Sequence, residues 1–409
     1  MKPWKQSVAV VFALALFVTA CGGGDDDDDS SSDTTKASSS EDDAEGAITS
    51  MDDAESAVIR IVAKGTFAEP SEEGVASYNE VTGVGSGSGF IIDPSGIAVT
   101  NNHVVTGAAS LEVYVGDEKD DPVSAKVLGV SECDDLAVID LAGDGYPFLK
   151  WSDDPPKTGR DVRAAGFPLG DPEFTLTSGI ISKAEANGDT PWASTPNIIE
   201  HDAAIQPGNS GGPLLDAKTA AVVGVDYATN DPGTGQNQFF AIGAELAQDV
   251  VEQMAQGENV LALGVNGQAI YQEDDGVVGV WVSSVESGSP ASEVGLHGGD
   301  IIERIEGLPL ATDGTMKDYC DILRSHDPTD TLAVQVLRFA DAARYRGEFN
   351  GDELTPSESL ASTVEEETGS TLAAGTAYDY VPVTDDSGTL YVEVPSAWSD
   401  VATSPYVLE

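Results

Sequence analysis

Residues 206–213 read QPGNSGGP and place one serine among glycine, proline and asparagine. These residue types are typical of surface turns, and a turn is the ordinary interpretation of such a cluster. Acyl transfer is the second interpretation, because a nucleophilic serine needs backbone N–H groups that face the developing oxyanion without side chains in the way. Glycines two residues before and two residues after Ser210 let the backbone take that shape. Ser210 then needs a base and an orienting acid from elsewhere in the chain.

Two residues earlier in the chain have the chemistry of that base and that acid. His103 follows an apolar strand in TNNHVV, and Asp135 lies in CDDLAV at the mouth of another apolar strand. Each is a weak signal alone, since a lone histidine is usually structural and Asp134 is a rival neighbour. Together His103, Asp135 and Ser210 follow the chain order of the chymotrypsin-type proteases, which makes the interpretation as a catalytic triad stronger than that of a turn.

The sequence gives little support for a metal or a cofactor. No pair among its four histidines has helical metal-site spacing, His201 beside Asp202 is expected to be structural, and no Walker-type phosphate loop occurs. We therefore expect no metal, no cofactor and no ATP. Cys133 and Cys320 fall in different predicted domains, so two free thiols are the default, with a disulfide between them as the alternative.

Charge and the N-terminus restrict the partners. The chain carries 71 acidic and 19 basic residues, a net charge of -52, which repels nucleic acid. Residues 1–21 hold a charged start, a short apolar run and the ending VTAC, which resembles the lipobox of bacterial lipoproteins. That resemblance implies a signal peptide, lipidation of Cys21 and an anchor on the extracytoplasmic face of the cell membrane. An ordinary secretory signal is the alternative.

The rest of the chain divides by composition into an acidic tether, a β-rich region, a mixed module, an acidic linker and a short end segment. Short runs rich in β-branched residues indicate two antiparallel β units. The apolar spacing of residues 244–256 predicts a helix at the end of the second unit. The end segment reads as two strands around a turn and is too short for a core of its own, so it is a docked or partial domain. The predicted segments are the tether 22–56, the β-rich region 57–256, the mixed α/β module 259–340, the linker 341–375 and the end segment 376–409.

Four segments together resemble the HtrA/DegP group of bacterial serine proteases: GSGSGFIID, TNNHVV, DDLAVIDL and HDAAIQPGNSGGPL. The module 259–340 resembles the PDZ domain of that group. The resemblance implies a mainly β fold, with a chymotrypsin-like double antiparallel β-barrel followed by a small α/β PDZ domain. It implies that Ser210 is the nucleophile, His103 the general base and then acid, and Asp135 the residue that orients His103. Gly208 and Ser210 would form the oxyanion hole, with Asn209 shaping the turn.

The same resemblance points to a substrate pocket. Ala204, six residues before the nucleophile, would lie at the pocket base, with Val225 and Tyr227 as its walls. Because strand side chains alternate, we expect Asp226 to face away from the pocket. An apolar base predicts cleavage after small aliphatic residues rather than after lysine or arginine.

In the PDZ-like module, Leu263, Gly264 and Val265 occupy the place of the carboxylate-binding loop, which implies capture of peptide C-termini. The implied function is a lipid-anchored serine endopeptidase of protein quality control that acts on unfolded or damaged proteins. The alternative is a non-catalytic peptide-binding or chaperone lipoprotein that keeps the fold. A homotrimer stays open, because relatives use aromatic trimer contacts near the protease N-terminus and residues 44–66 contain no aromatic residue.

Overall fold

The described part of the chain is mainly β structure, as the sequence predicts. A computed structural model describes residues 46–71, 74–229, 238–272, 276–359, 380–384 and 391–395. Within these residues, two closed six-stranded barrels precede a seven-stranded sheet. The signal peptide and the greater part of the acidic tether, both predicted above, lie outside the described residues.

The first barrel explains the apolar run LAVIDL. On the strand Leu136–Leu141, Ala137 and Ile139 fill the barrel interior, while Leu136 and Val138 pack into a second core against the other barrel. Both faces of the strand are therefore buried, so the sequence does not alternate between polar and apolar residues. The six strands are β2 (Val58–Ser71), β3 (Gly74–Ile91), β4 (Ile97–Thr100), β5 (Ala108–Val115), β6 (Val123–Ser131) and β7 (Leu136–Leu141). A short helix, α1 (Asn102–Val105), follows β4.

The second barrel is closed by the predicted helix, α2 (Ala244–Ala255). Its apolar residues, among them Ala247, Val251 and Met254, enter the core that the two barrels share. The helix therefore binds the barrels together through one apolar face. The strands are β9 (Asp161–Gly166), β10 (Thr175–Asp189), β11 (Ser194–His201), β12 (Pro213–Asp216), β13 (Val222–Thr229) and β14 (Phe239–Gly243).

The last residues of the predicted tether are ordered. The strand β1 (Ala47–Ile48) pairs in parallel with β8 (Phe148–Leu149), and a 3-10 helix follows at Met51–Ala57. Ala54 and Ala57 are fully buried in the core between the barrels. The acidic composition suggested a solvated tether up to residue 56. Burial of these small apolar side chains instead packs the end of the segment against the two barrels.

The mixed module forms one sheet with two helices. Its sheet extends into the segment expected to be a linker. The strand β20 (Ala343–Phe349) pairs with β19 (Leu332–Arg338) over its whole length and ends in the buried Phe349. Three of the seven residues of this strand are charged, so its composition resembles that of a linker. The strands are β15 (Val265–Gln272), β16 (Val277–Val285), β17 (Asp300–Ile305), β18 (Leu308–Pro309), β19 (Leu332–Arg338), β20 (Ala343–Phe349) and β21 (Thr355–Ser359); the helices are α3 (Pro290–Val294) and α4 (Lys317–Leu323).

A disulfide joins Cys133 of the first barrel to Cys320 of α4, with 5.6 Å between their Cα atoms. The expectation of two free thiols is therefore wrong, and the alternative pairing is the one found. The Cys133 side chain is fully buried and belongs to the core of the mixed module. A turn of the barrel thus inserts into that module, a contact that the division into domains did not anticipate.

Two further predictions concern the ends of the chain. The strands β22 (Tyr380–Thr384) and β23 (Tyr391–Pro395) pair antiparallel, which confirms the predicted strand pair in the end segment. No helix within the described ranges is long and apolar enough to span a membrane. Cys21 lies outside the described residues.

Candidate active site

His103 and Asp135 meet at one edge of the first barrel. His103 lies on α1 directly after β4, and Asp135 ends the turn that leads into β7. The His103 Nδ1 lies 2.7 Å from Asp135 Oδ2, and the His103 backbone N–H donates to Asp135 Oδ1 at 3.0 Å. Asp135 has φ +49°, a left-handed conformation that aspartate tolerates better than most residues. The Asn101 side chain donates to the Asp135 carbonyl at 2.7 Å and holds that conformation.

The Asp135 carboxylate controls the charge of the His103 imidazole. Burial alone would lower the pKa of His103, but the charge of Asp135 and its hydrogen bond outweigh this effect and raise the pKa above its usual value. A carboxylate on Nδ1 also fixes the tautomer that leaves Nε2 as the acceptor. The pair therefore has the arrangement of a general base with its orienting acid.

Asp134, the rival in the sequence, has different partners. Ser131 Oγ donates to one carboxylate oxygen of Asp134 at 2.8 Å, and Thr195 Oγ1 donates to the other at 2.5 Å. Asp134 thus connects the turn of the first barrel to β11 of the second. The geometry brings Asp135, and not Asp134, to the histidine.

The glycines around Ser210 are required by close packing. Gly208 has φ +100°, and a Cβ on it would lie 2.7 Å from the Leu169 backbone nitrogen. Gly211 has φ +83°, and a Cβ there would lie 2.3 Å from Thr100 Oγ1, at the end of the strand that leads to His103. The segment QPGNSGGP is therefore a loop of the second barrel pressed against the first barrel, rather than a free surface turn.

Two backbone amides of this loop, those of Gly208 and Ser210, donate no hydrogen bond within the described residues. Asn209 N–H donates to the Gln206 carbonyl at 2.9 Å, so it shapes the turn, and Ser88 Oγ donates to the Gly208 carbonyl at 2.7 Å. Among the described residues, no hydrogen bond uses the N–H of Gly208 or of Ser210. Nor does one join Ser210 Oγ to His103, so the third link of the triad stays a prediction that rests on position. Catalytic hydrogen bonds are often longer without substrate.

The predicted pocket residues lie in two environments. Ala204 is exposed, and its carbonyl accepts a hydrogen bond from Thr177 Oγ1 at 2.8 Å. Val225 and Tyr227 are buried in the core between the barrels, and their role as pocket walls stays a prediction.

Asp226, between these two residues, has no exposed surface. Its Oδ1 lies 3.1 Å from Nε2 of the equally buried His201 on β11. Burial raises the pKa of Asp226 against the opposing effect of His201. The carboxylate thus lies beside a buried imidazole, although neither of its oxygens makes a hydrogen bond within the described residues, and its orientation away from the pocket stays a prediction.

The predicted carboxylate loop is occupied within the chain. The backbone N–H groups of Leu263, Gly264 and Val265 all donate to Oε1 of Glu132, at 3.0, 2.6 and 2.6 Å. Sequence reasoning missed Glu132, because nothing distinguishes it among 71 acidic residues. It also missed Trp192, whose ring centroid lies 5.8 Å from that of His103.

Comparison with known proteins finds two domain families in the chain. A family model of a trypsin-like peptidase domain matches residues 87–225, and a model of a PDZ domain matches residues 254–355. A probable periplasmic serine endoprotease, DegP-like, from Marinomonas sp. (strain MWYL1) is 34% identical over 256 residues, which are 60% of this chain and 53% of that protein.

Two further proteins match this chain over more than half of its length. The serine protease Do-like HtrA of Bacillus subtilis (strain 168) is 32% identical over 291 residues, which are 64% of this chain and 62% of that protein. The chain thus spans little more than half the length of these curated relatives. The solved structure of the HtrA-type protease AlgW with decapeptide is 27% identical and covers 75% of this chain and 98% of that chain, with a TM-score of 0.44.

Proposed function

The chain is HtrA-like, with a trypsin-like peptidase domain followed by a PDZ domain, and from this we propose that it is a serine endopeptidase of extracytoplasmic protein quality control. One observation carries the proposal. A histidine–carboxylate pair and a serine loop with two unpaired backbone amides lie where the two barrels are in contact. This is the arrangement from which chymotrypsin-type enzymes cleave peptide bonds.

The proposed reaction uses three side chains and two amides. Ser210 Oγ attacks the scissile carbonyl carbon while His103 Nε2 takes its proton, and Asp135 stabilises the imidazolium. The N–H groups of Gly208 and Ser210 donate to the oxyanion. His103 then gives the proton to the leaving amine as the C–N bond breaks. Water, deprotonated by His103, hydrolyses the acyl-enzyme and restores Ser210.

We propose unfolded or damaged proteins as substrates, cut after small aliphatic residues. Ala204 supports this choice because it offers no charge to a lysine or arginine side chain, which would lose its hydration without a partner. The complete burial of Asp226 beside His201 supports it further. Selectivity among alanine, valine and leucine should be modest, since one buried methylene is worth about 0.8 kcal/mol.

We also propose that the enzyme acts from a lipid anchor on the extracytoplasmic face of the cell membrane, through Cys21. The ending VTAC of the apolar run supports the anchor. Two of the similar curated proteins are described as periplasmic, which is consistent with that side of the membrane.

Digestion of unfolded casein tests the proposed activity. We expect the chain from residue 45 onward to degrade casein and its Ser210→Ala variant to be inactive with an unchanged circular dichroism spectrum. Ser178→Ala, at an exposed serine of β10, is the control and should retain full activity. A positional peptide library on the same proteins should show small aliphatic residues before the cleaved bond.

Two results would contradict the proposal. Casein digestion by Ser210→Ala at the wild-type rate would remove Ser210 as nucleophile. Binding of casein without any cleavage by the wild type would favour the non-catalytic chaperone. A dominant lysine or arginine signal in the library would overturn the pocket assignment alone.

A further inference from the structure

Glu132 fills the carboxylate-binding loop of the PDZ domain. Its Oε1 accepts the three backbone N–H groups of residues 263–265, and its Oε2 accepts the hydroxyl of Tyr319 at 2.5 Å. Glu132 is 3% exposed and Tyr319 is fully buried, so bulk water does not compete for these bonds. A peptide terminus presents the same group, a carboxylate with two acceptor oxygens.

We propose that Glu132 is an internal ligand of the PDZ loop, so that a peptide with a free C-terminal carboxylate enters the loop only after Glu132 leaves it. This inference rests on the proposed peptide-binding function of the PDZ domain and specifies how that site is controlled. The donors of the loop are the ones that a terminal carboxylate would use, and the two ligands are therefore mutually exclusive.

The groove beside the loop is also occupied by the protease domain. A bound peptide would add as a strand along β15, whose other edge pairs with β16. In the structure, Ala269 N–H of β15 donates to the Pro191 carbonyl at 2.8 Å, and Met316 N–H before α4 donates to the Thr190 carbonyl at 2.9 Å. Carbonyl groups of the segment between β10 and β11 thus accept hydrogen bonds from both sides of the groove.

The disulfide holds this arrangement in place. Cys133 follows Glu132 in the chain, and Cys320 follows Tyr319, so the covalent bond joins the residues adjacent to the hydrogen-bonded pair. Because both cysteines are fully buried, a dithiol reaches the sulfur atoms only when the contact between the two domains opens; two protons and two electrons then pass to them, giving two protein thiols and a disulfide in the reagent. Reduction should therefore make the release of Glu132 easier.

Electrostatics agree with a carboxylate-selective loop. Burial raises the pKa of Glu132 to about 7, and the hydrogen bonds from Tyr319 and the three backbone amides oppose that rise. These donors offset only part of the cost of burying the charge, because the pKa of Glu132 stays above its usual value. A ligand that lacks a carboxylate would leave them unpaired.

Peptide binding to the full chain tests the proposal, in a Ser210→Ala background that prevents cleavage. The probe is a fluorescein-labelled pool of decapeptides with random last positions and a free C-terminal carboxylate; the same pool with a C-terminal amide is the control. Anisotropy is measured with and without dithiothreitol for the parent protein, which keeps Glu132, and for its Glu132→Ala and Glu132→Gln variants. The matched control is Glu112→Ala, which removes an exposed carboxylate of the first barrel.

We expect no saturable binding to oxidised protein with Glu132 or with Glu112→Ala. Reduced Glu132→Ala should bind the carboxylate pool on the order of tenfold more tightly than the reduced parent does, and more tightly than it binds the amide pool. Glu132→Gln, which keeps the shape of the side chain, should lie between them. Thermal unfolding confirms that each variant is folded.

Two outcomes would overturn the inference. One is equal binding of the carboxylate pool by oxidised parent and reduced Glu132→Ala. The other is a folded, reduced Glu132→Ala or Glu132→Gln that does not distinguish carboxylate from amide. Because binding is measured without cleavage, a failure of the casein assay leaves this test intact.

Discussion

At the residue scale, the two members of the proposed catalytic pair differ in exposure. The side chain of His103 is 25% exposed, whereas that of Asp135 is 1% exposed. The carboxylate of Asp135 is therefore shielded from water, while part of the His103 side chain stays exposed. Shielding strengthens the effect of the Asp135 charge on His103.

The raised pKa of His103 determines how activity depends on pH. The neutral imidazole is the base, so kcat/KM should fall as pH decreases through the pKa of His103, which lies above its usual value of 6.5. Asp135→Asn should shift this acid limb to lower pH and reduce kcat by about 10³- to 10⁴-fold, because the wrong tautomer is then favoured. A pH–rate profile of casein cleavage measures both effects.

The neighbouring carboxylate is the control for that experiment. Asp134→Asn alters the bonds to Ser131 and Thr195, so it should lower stability while leaving the acid limb in place. A larger loss of kcat in Asp134→Asn than in Asp135→Asn would reverse the assignment of the two aspartates.

The sequence predicted the residue chemistry only where several positions support one another. Asp135 could be identified from its place in a known order of three residues. Its hydrogen bond to His103 is consistent with that identification. Glu132 could not, because its partners are backbone amides 131 to 133 positions away, and backbone amides have no sequence signature. Trp192 lies in a connection between strands, where spacing predicts no contact with His103.

At the scale of elements, the two barrels meet at Gly211. A Cβ on Gly211 would lie 2.3 Å from Thr100 Oγ1 and 2.4 Å from the Ser88 carbonyl oxygen, so the contact leaves no room for a side chain. The relative position of α1 and the Ser210 loop, and with it the catalytic geometry, therefore depends on the closeness of this contact.

Gly211→Ala should lower both the free energy of unfolding and kcat. The methyl group would be overpacked and the left-handed backbone strained, which together cost about 2–4 kcal/mol. The matched control is Gly159→Ala, since Gly159 has φ +84° and nothing within 4 Å of a Cβ, so only the backbone cost of about 1 kcal/mol applies. Urea unfolding of both variants gives the comparison, and equal losses would show that the barrel contact is not close.

Pattern-based prediction of elements succeeded where one periodicity dominates. The helix α2 has apolar residues at helical spacing, and it forms where expected. The extent of the last sheet was missed, since three of the seven residues of β20 are charged and the strand resembles a linker in composition. The pairing of Cys133 with Cys320 was not favoured, because 187 residues separate the two in sequence and only the packing of two domains brings them together.

At the scale of the whole molecule, the chain carries a net charge of -52, and its apolar N-terminal run ends in VTAC. A lipid at Cys21 would hold this acidic protein at the membrane, against repulsion from anionic headgroups. A stable anchor usually needs a second signal besides one acyl chain, which the several chains of a lipoprotein would supply.

Cys21→Ser should release the protein from the membrane or leave an unprocessed precursor. Membrane fractionation and the mass of the N-terminal peptide distinguish these outcomes from wild type. Cys133→Ser is the control, because it removes a cysteine of the disulfide and should leave the membrane fraction unchanged. Normal retention and processing of Cys21→Ser would exclude the lipid anchor.

The disulfide between Cys133 and Cys320 also defines a covalent ring in the chain. All of the second barrel, including Ser210, lies inside this ring. A single cut of the backbone between residues 134 and 319, including one that the enzyme makes in another copy of itself, therefore leaves every piece covalently joined. Such a nicked molecule would migrate as intact protein on a non-reducing gel and separate into fragments only after reduction, so that autolysis escapes notice under oxidising conditions.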